Sequence, residues 1–253
     1  MTTFARVVKV VGVGLLVVLA LVVILTALRT ELPRSPGVMT DALGPENGEP
    51  VDDYLARAAD SLAVGAAGVG DDDEEFTPDP EAPRWALVSA EQAWSAAEAA
   101  AVVQGLPRVS GLYVQVPVDG VAMPVTGVTL AEPVAGETGR DRVFDRGLEQ
   151  VVDRLHGGPQ PGADVPPPPD PGRAAAVNAL TVSRIRSGEP AIIGLLARGT
   201  PEQLRAVAGL PRVRAVEALP PDAVWQRFAV RPLQPQQLDA AYPLPDDAPV
   251  PSR

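Results

Sequence analysis

The sequence contains no cysteine, one histidine and one lysine, and aromatic residues make up only 4% of its 253 residues. Without cysteine the chain can form no disulfide, zinc–thiolate site, iron–sulfur cluster or thiol nucleophile. A single histidine excludes a multi-histidine metal centre, and the only lysine, Lys9, lies before a long apolar run, so no phosphate-binding loop is present. Any hydrophobic core must therefore be built mainly from Val, Leu, Ile and Ala.

Catalytic patterns are also missing. A Ser–His–Asp hydrolase would have to use His156, but no serine lies in a GxSxG motif, and His156 instead occupies the last turn of a predicted helix, where imidazolium favours the helix dipole. Asp141 and Asp145 share one helix face, but Arg142 and Arg146 alternate with them, which is typical of surface salt bridges rather than a general acid/base pair. We predict no enzymatic activity and no catalytic, cofactor-binding or metal-binding residue.

The longest apolar stretch covers residues 10–28, with no charged residue between Lys9 and Arg29. As a helix it would be about 28 Å long, close to the hydrocarbon thickness of a bilayer, and it would satisfy every backbone polar group internally. A cleaved signal peptide is the alternative, but its apolar region is about 7–15 residues long, and Leu25 would occupy the −3 position of the cleavage site. We predict an uncleaved transmembrane helix over 10–28, in contact with the lipid bilayer.

The orientation of this helix follows from the flanking charges. Arg6 and Lys9 precede it, and Arg29 and Arg34 follow it, so the positive-inside bias is nearly balanced. A long downstream region can cross a membrane largely regardless of its charge. We predict a single-pass protein of the cell membrane with a cytoplasmic stub at 1–9 and the bulk of the chain outside the cytoplasm.

The net negative charge is concentrated directly after the apolar run, since residues 31–84 carry 14 acidic and three basic groups. This composition, rich in Pro and Gly, predicts a stalk over 29–84 with a short helix at 51–63, which can dock on the folded domain or on a partner. The run DDDEE at 71–75 lacks the ligand spacing of a calcium loop and indicates a solvated linker. An anionic stalk is repelled by nucleic acid, so we predict no nucleic-acid partner.

Two segments carry a family resemblance. LGPENGEPVDDYLARAADSL at 43–62, followed by RWALV at 84–88, resembles a pattern in uncharacterised single-pass, membrane-anchored envelope proteins of high-GC actinobacteria. The resemblance covers only these two segments. It implies an anchored, exported protein, and it implies no activity or catalytic residue.

The strongest internal signal is GLPRV, which occurs at 105–109 and again at 209–213. Each copy lies between a predicted helix, at 91–104 or about 201–208, and an apolar run that predicts a strand. Gly105 and Gly209 are expected to be left-handed helix caps, and Pro107 and Pro211 prevent the helices from continuing. Apolar runs at 85–88 and 191–196 precede the helices, so each copy is predicted to be strand–helix–strand.

The fold class expected from this duplication is α+β. Repeats at about 85–130 and 190–231, each with a further strand at 121–130 or 224–231, resemble a ferredoxin-like sandwich of two βαβ units with helices on one face of a sheet. The alternative is that GLPRV is a helix-to-strand turn used twice. Helices at 141–156 and 173–186 and a proline-rich loop at 159–172 complete a domain over 85–231, and the tail 232–253 is predicted to be disordered.

These features suggest a non-enzymatic accessory or scaffold protein of the bacterial cell envelope, with other envelope or membrane proteins as partners. The alternative is a sensor of a small ligand or of envelope stress, because two βαβ halves can leave a cleft at their junction. Trp94, Tyr113 and Trp225 are candidate lining residues for such a cleft. A hydrolase ranks third.

Overall fold

The computed structural model describes residues 41–63, 79, 81–130, 139–156 and 170–252. Within these ranges the chain is a mixed α+β unit with five helices and a five-stranded antiparallel sheet. The helices are α1 (Val51–Ser61), α2 (Ala96–Val102), α3 (Arg140–His156), α4 (Pro171–Arg186) and α5 (Pro201–Ala208). The strands are β1 (Asp41–Leu43), β2 (Arg84–Trp94), β3 (Arg108–Val114), β4 (Thr126–Thr129), β5 (Ile192–Gly199), β6 (Val213–Ala218) and β7 (Phe228–Val230).

The five-stranded sheet has the order β4-β3-β5-β2-β6, and each neighbouring pair is antiparallel. The central strands β2 and β5 pair from Arg84 opposite Gly199 as far as Trp94 opposite Ile192. β6 is one edge of this sheet and β4 is the other. The short strands β1 and β7 form a separate parallel pair, with Asp41 opposite Phe228.

Helices α2 and α5 both begin with a capping box. Ser95 and Thr200 each accept a hydrogen bond from the backbone N–H three residues later, and the side chains of Glu98 and Gln203 bond back to the cap backbone. Such capping boxes satisfy backbone donors that the first helical turn leaves unpaired. The GLPRV segments then join α2 to β3 and α5 to β6.

The predicted left-handed caps at Gly105 and Gly209 do not form. Gly209 is right-handed, with φ −80°, and Gly105 is absent from the positive-φ glycines of the described chain. The second GLPRV instead places Arg212 at φ 70°. The left-handed residue of this turn is therefore Arg212 and not Gly209. The Arg212 carbonyl accepts a hydrogen bond from the Glu91 backbone N–H at 3.0 Å.

One face of the five-stranded sheet is covered by helices and holds the largest apolar cluster. The cluster takes inward residues from the four longer strands and from the helices, with Trp94, Phe144 and Leu195 completely buried. Alternate strand residues point to opposite faces, so the same strands also supply apolar residues to the other face. Trp85, Leu87 and Leu196 lie in a second, smaller cluster there.

Several predicted boundaries differ from the structure. The helix predicted at 91–104 begins only at Ala96, because β2 continues through Trp94 after a register shift that follows Ser89. The predicted strand at 121–130 is reduced to Thr126–Thr129. The predicted strand at 224–231 is reduced to Phe228–Val230 and pairs with β1 outside the five-stranded sheet. Helices lie close to the positions predicted at 51–63, 141–156, 173–186 and 201–208.

The folded unit is longer at both ends than the predicted domain over 85–231, since its described residues extend from Asp41 to Ser252. Residues 41–62 were assigned to a stalk, but Leu43 and Tyr54 are buried and α1 packs against β6. The tail was predicted to be disordered, yet Leu233 is fully buried, and the Ala241 backbone N–H donates to the Glu49 carbonyl at 2.9 Å. Long-range packing thus orders segments whose polar, proline-rich composition favours disorder.

Three predicted features lie outside the described residues: the apolar run 10–28, the acidic run 71–75 and the proline-rich loop as far as residue 169. Within the described ranges, no helix has the length and apolar character needed to cross a bilayer.

Candidate functional site

The face of the sheet away from the main helix layer is covered by two segments of the folded unit that are distant in sequence. Residues 41–62, here called the N-terminal strap, contribute β1 and α1, and residues 219–242 lie beside them. Val51, Tyr54 and Ala58 of α1 pack against Ala215 of β6 and Leu233 in a third apolar cluster. The strap is therefore an integral layer of the folded unit.

A buried carboxylate fastens the strap to the sheet. Glu217, on β6, has only 5% of its side chain exposed, and its Oε2 accepts a hydrogen bond of 2.5 Å from the backbone N–H of Gly44. Its Oε1 pairs with the guanidinium of Arg57 on α1. Arg57 also forms a two-pronged pair with Glu49, with Nη2–Oε2 at 2.9 Å and Nε–Oε1 at 3.1 Å. One arginine thus joins a strand of the sheet to two parts of the strap.

Burial sets the electrostatics of this cluster. It raises the pKa of Glu217 above the ordinary value, although the Gly44 N–H and the Arg57 guanidinium act in the opposite direction. The better-exposed Glu49 has a lowered pKa because its carboxylate is bonded to Arg57. The pKa of Tyr54 is raised by burial and by the nearby charge of Glu217, so its hydroxyl stays protonated at neutral pH. The two carboxyl groups around Arg57 therefore have pKa values shifted in opposite directions, upward for Glu217 and downward for Glu49.

An aromatic cluster occupies another part of the same face. Trp85 stacks on Trp225 with ring centroids 4.6 Å apart, and Phe228 lies 6.2 Å from both rings. The guanidinium groups of Arg108 and Arg198 lie 5.1 Å and 5.8 Å from the Trp85 ring centre. Because Trp85 is almost completely buried, these contacts stabilise the packing of the 219–228 loop on the sheet.

A groove runs beside the edge strand β6. It is lined by α1 and the two residues after it, from Leu55 to Ala63, by Arg205 and Ala208 of α5, and by residues 214–216 of β6. Its volume is about 350 Å³. We call it the β6 groove. Most of its lining side chains are apolar and small, and its only charged groups are the two arginines Arg205 and Arg214. The groove can therefore accept an apolar or extended ligand that brings negative charge.

The three aromatic residues predicted to line a cleft are not brought together. Trp94 is completely buried in the helix-side cluster, whereas Tyr113 and Trp225 pack against the cluster on the opposite face of the sheet. The two halves of the sheet meet instead along the paired strands β2 and β5, which close their junction.

The residues considered for catalysis remain apart from these features. His156 is the last residue of α3, as predicted, and its Nδ1 lies 2.9 Å from the Val152 carbonyl oxygen. Asp141 and Asp145 are exposed on α3, and neither forms an ion pair with another described residue, so the predicted salt-bridge pattern is not formed. In the described ranges no group of three or more acidic or histidine residues is placed to hold a metal ion.

Sequence reasoning missed the Glu217–Arg57 cluster. A signal was present, because Glu217 interrupts the apolar residues of VRAVEAL at a position that a two-sided strand would bury. Its partner Arg57 lies 160 residues away in the chain, and no local pattern connects the two.

No known protein family, curated protein or solved structure matches the chain. The resemblance of residues 43–62 and 84–88 to actinobacterial envelope proteins stays a prediction.

Proposed function

We propose that this chain is a membrane-anchored, extracytoplasmic accessory or scaffold protein of the bacterial cell envelope, without enzymatic activity and with its N-terminus in the cytoplasm. One observation supports this most directly: the folded unit begins at Asp41, and only residues 29–40 separate it from the apolar run 10–28. A fully extended segment of that length spans at most about 40 Å. A helix over 10–28 would thus hold the folded unit close to the lipid surface.

The way the strap is built into the unit also favours a scaffold. The chain that follows the proposed anchor enters β1 and α1, which are held by the β1–β7 pair, the Glu217–Arg57 cluster and apolar packing. Because residues 41–62 belong to the folded unit, only residues 29–40 connect that unit to the proposed anchor, a shorter connection than the predicted stalk over 29–84. Such a body presents its outer surface to partners at a limited range of distances from the membrane.

The finer fold proposed for this body is a ferredoxin-like arrangement of two βαβ units. In support, β2-α2-β3 and β5-α5-β6 interleave in the order β3-β5-β2-β6, and both helices begin with a capping box and are followed by GLPRV. β4 adds a further strand at one edge. This arrangement leaves the face opposite the helices for the strap to occupy.

The anchor and its orientation can be tested in bacterial cells that produce the full chain. We expect the protein to remain with membranes after alkaline carbonate washing, and external protease to digest the folded unit in osmotically opened cells with an intact inner membrane. A variant lacking residues 10–28 is the control and should be recovered without membranes. Protection of the folded unit until the inner membrane is dissolved would overturn the orientation, and release of the full chain by carbonate would overturn the anchor.

The absence of enzymatic activity has its own test. Purified full chain in detergent should not turn over cell-wall or peptide substrates. Turnover that disappears when one carboxylate is substituted would replace the scaffold proposal with a hydrolase.

A sensor of a small ligand is the second candidate function, and the β6 groove is the observation that favours it, since about 350 Å³ suffices for a small molecule. A small apolar acid that raises the melting temperature of the full chain, but not that of a variant with a filled groove, would favour the sensor.

A further inference from the structure

The two GLPRV copies use their arginines differently. Arg212, in the second copy, forms an ion pair with Glu98, and its Nη2 donates to the Ala93 carbonyl at 3.2 Å. Arg108, in the first copy, forms no ion pair with a carboxylate of the described chain. Its cross-strand neighbour is Arg198 of β5. The repeated sequence therefore pairs one arginine with a carboxylate and places the other beside a second positive charge.

Arg108 and Arg198 lie close together on the face of the sheet opposite the helices. They are directly opposite each other in the register of β3 and β5, and Arg198 is in turn opposite Trp85 of β2. Directly opposite residues of antiparallel strands have Cβ atoms about 5 Å apart on the same face. The two guanidinium groups lie 5.1 Å and 5.8 Å from the centre of the Trp85 ring. Two positive charges thus border one aromatic ring.

Most of the hydrogen-bonding capacity of these two arginines is unused. Arg108 donates through Nε to the Ser110 hydroxyl at 3.0 Å, and Arg198 donates through Nε to the Pro83 carbonyl at 3.4 Å. The Nη groups of both arginines have no hydrogen-bond partner among the described residues. Both side chains belong to half-buried residues, so water screens their charges less than those of fully exposed side chains.

The arrangement has an electrostatic cost. Like charges on directly opposite strand residues destabilise a sheet. Cation–π contacts with Trp85 offset part of that cost, but an aromatic ring carries no net charge and cannot neutralise two guanidinium groups. An anion bound by both arginines would neutralise them and accept hydrogen bonds from their unused Nη groups. Arg108 and Arg198 together therefore have the chemistry of an anion site.

The number of donors indicates the kind of anion. A carboxylate has two oxygens, and the planar fork of one guanidinium group occupies both. A phosphate monoester has three free oxygens and a charge between about −1.5 and −2 at pH 7, so it can accept hydrogen bonds from two forks. Two arginines match that charge and that set of oxygens better than they match a single carboxylate.

We propose that Arg108 and Arg198 form a binding site for a phosphate monoester, with both guanidinium groups donating to the phosphate oxygens beside Trp85. The phosphate belongs either to a lipid headgroup or to a water-soluble compound, because both present the same anion. This site goes beyond the proposed scaffold function. It depends neither on the membrane anchor nor on its orientation, so the two proposals can fail separately.

The test uses the full chain in a non-ionic sugar detergent, in a buffer without phosphate or sulfate. Binding of phenyl phosphate, phenyl sulfate and benzoate is measured by isothermal titration calorimetry. The three probes share an aromatic ring and differ in the charge and the oxygens of the anion. We expect phenyl phosphate to bind at least about tenfold more tightly than either of the other two. Its affinity should fall between about pH 7.5 and about pH 5, because the phosphate loses its second charge while arginine stays protonated.

Matched variants locate the binding site. Arg108→Gln and Arg198→Gln should each weaken phenyl phosphate binding by about tenfold or more. Arg108→Lys keeps the charge and an aliphatic stem beside Trp85 but lacks the planar fork, so it should have an intermediate affinity even if the Gln variants fold poorly. Arg142→Gln, which removes an exposed arginine of α3, is the control and should leave the affinity unchanged.

The source of the phosphate is distinguished by competition. Phosphatidate added to the micelles should displace phenyl phosphate if the site takes a lipid headgroup. If phosphatidate does not displace it while inorganic phosphate does, the site is assigned to a water-soluble compound.

Several outcomes would overturn the proposal. The first is no binding of phenyl phosphate at about 10 mM, and the second is equal affinity for the three probes. The third is binding that both Gln variants retain at full strength. Gln variants that lower the melting temperature without weakening phenyl phosphate would leave Arg108 and Arg198 with only a packing role over Trp85.

Discussion

The two faces of the five-stranded sheet are built by different means. The helix-covered face is sealed by one extensive apolar cluster in which Trp94, Phe144 and Leu195 are completely buried. The opposite face is covered by the strap and the C-terminal segment, and it divides into two small apolar clusters with the Glu217–Arg57 pair between sheet and strap. Apolar burial of the first kind is non-directional, whereas an ion pair with one buried partner, Glu217, depends on its geometry and on pH.

This difference suggests a division of roles. The helix-covered face carries most of the apolar burial and should determine global stability. The strap face uses few apolar residues and several specific bonds, so it should open locally at a lower free energy than the core. Substitutions on the two faces can separate these roles.

The largest effect is expected on the helix-covered face. Phe144 is fully buried between α3 and the sheet, and Phe144→Ala should lower the free energy of unfolding by about 3–5 kcal/mol, measured by urea denaturation, because it leaves a cavity. Hydrogen exchange should accelerate throughout the sheet. A loss below about 1 kcal/mol would mean that this face does not dominate stability.

Gly44→Ala should act mainly on the strap. Gly44 has φ +102°, and an added Cβ would lie 1.6 Å from the Arg231 carbonyl oxygen. The strap must therefore shift, at a cost of about 1–3 kcal/mol, with faster exchange at residues 41–62 and little change in β2 and β5.

Gly188→Ala is the matched control for Gly44→Ala. Gly188 also has positive φ, +80°, but nothing lies within 4 Å of an added Cβ. It should show only the backbone cost of about 1 kcal/mol, with no change in strap exchange. Equal effects of the two substitutions on the strap would contradict the steric explanation.

Glu217→Gln should change how stability depends on pH. Burial raises the pKa of Glu217 above 4.5, so the folded state retains a proton that the unfolded state has lost, and the free energy of unfolding falls as pH rises from 4.5 through the raised pKa. The variant lacks this decline, so its stability relative to the parent should increase with pH across that window. Urea titrations at several pH values measure the difference.

Glu49→Gln provides the opposite sign. The pKa of Glu49 is lowered by its bond to Arg57, so this carboxyl contributes stability above 4.5 that is lost as pH falls through the lowered pKa. The Gln variant should lose stability relative to the parent as pH rises through that interval. If the stability of both variants relative to the parent changed in the same direction with pH, the assigned pKa shifts of Glu217 and Glu49 would be refuted.

The smallest effect is expected for Trp225→Ala. Trp225 is only half-buried, and its loss removes one stacked pair with Trp85, for an expected cost of about 1 kcal/mol by urea denaturation. A cost above about 3 kcal/mol would show that the aromatic cluster belongs to the global core.

Local sequence patterns were sufficient for much of the helical structure. The apolar stripe of 141–156 corresponds to α3, and Thr200-Pro201 with Gln203 marks the first turn of α5 through cap chemistry that acts over three residues. The strand β2 shows the limit of this approach. Its Ala-rich end favours a helix, but pairing with β5 and β6 extends the strand to Trp94.

The candidate site could not be predicted because its parts are distant in sequence. The β6 groove combines α1 with α5 and β6, and Glu217 meets Arg57 only after the sheet has formed. The tail appeared disordered because its bonds, such as that between Ala241 and Glu49, join the two ends of the unit. The composition of a segment indicates whether that segment can bury its own apolar surface. It does not indicate whether a segment distant in sequence will cover that surface.

The bond between Gly44 and Glu217 joins residues 173 positions apart. During synthesis the strap is therefore made first, while β6, β7 and the segment that covers α1 are made last. Contacts of such long sequence separation form slowly, since loop closure must precede them. We expect the newly made strap to remain with its apolar face uncovered until translation is almost complete, which makes it the part of the folded unit most exposed to aggregation while the chain is being made.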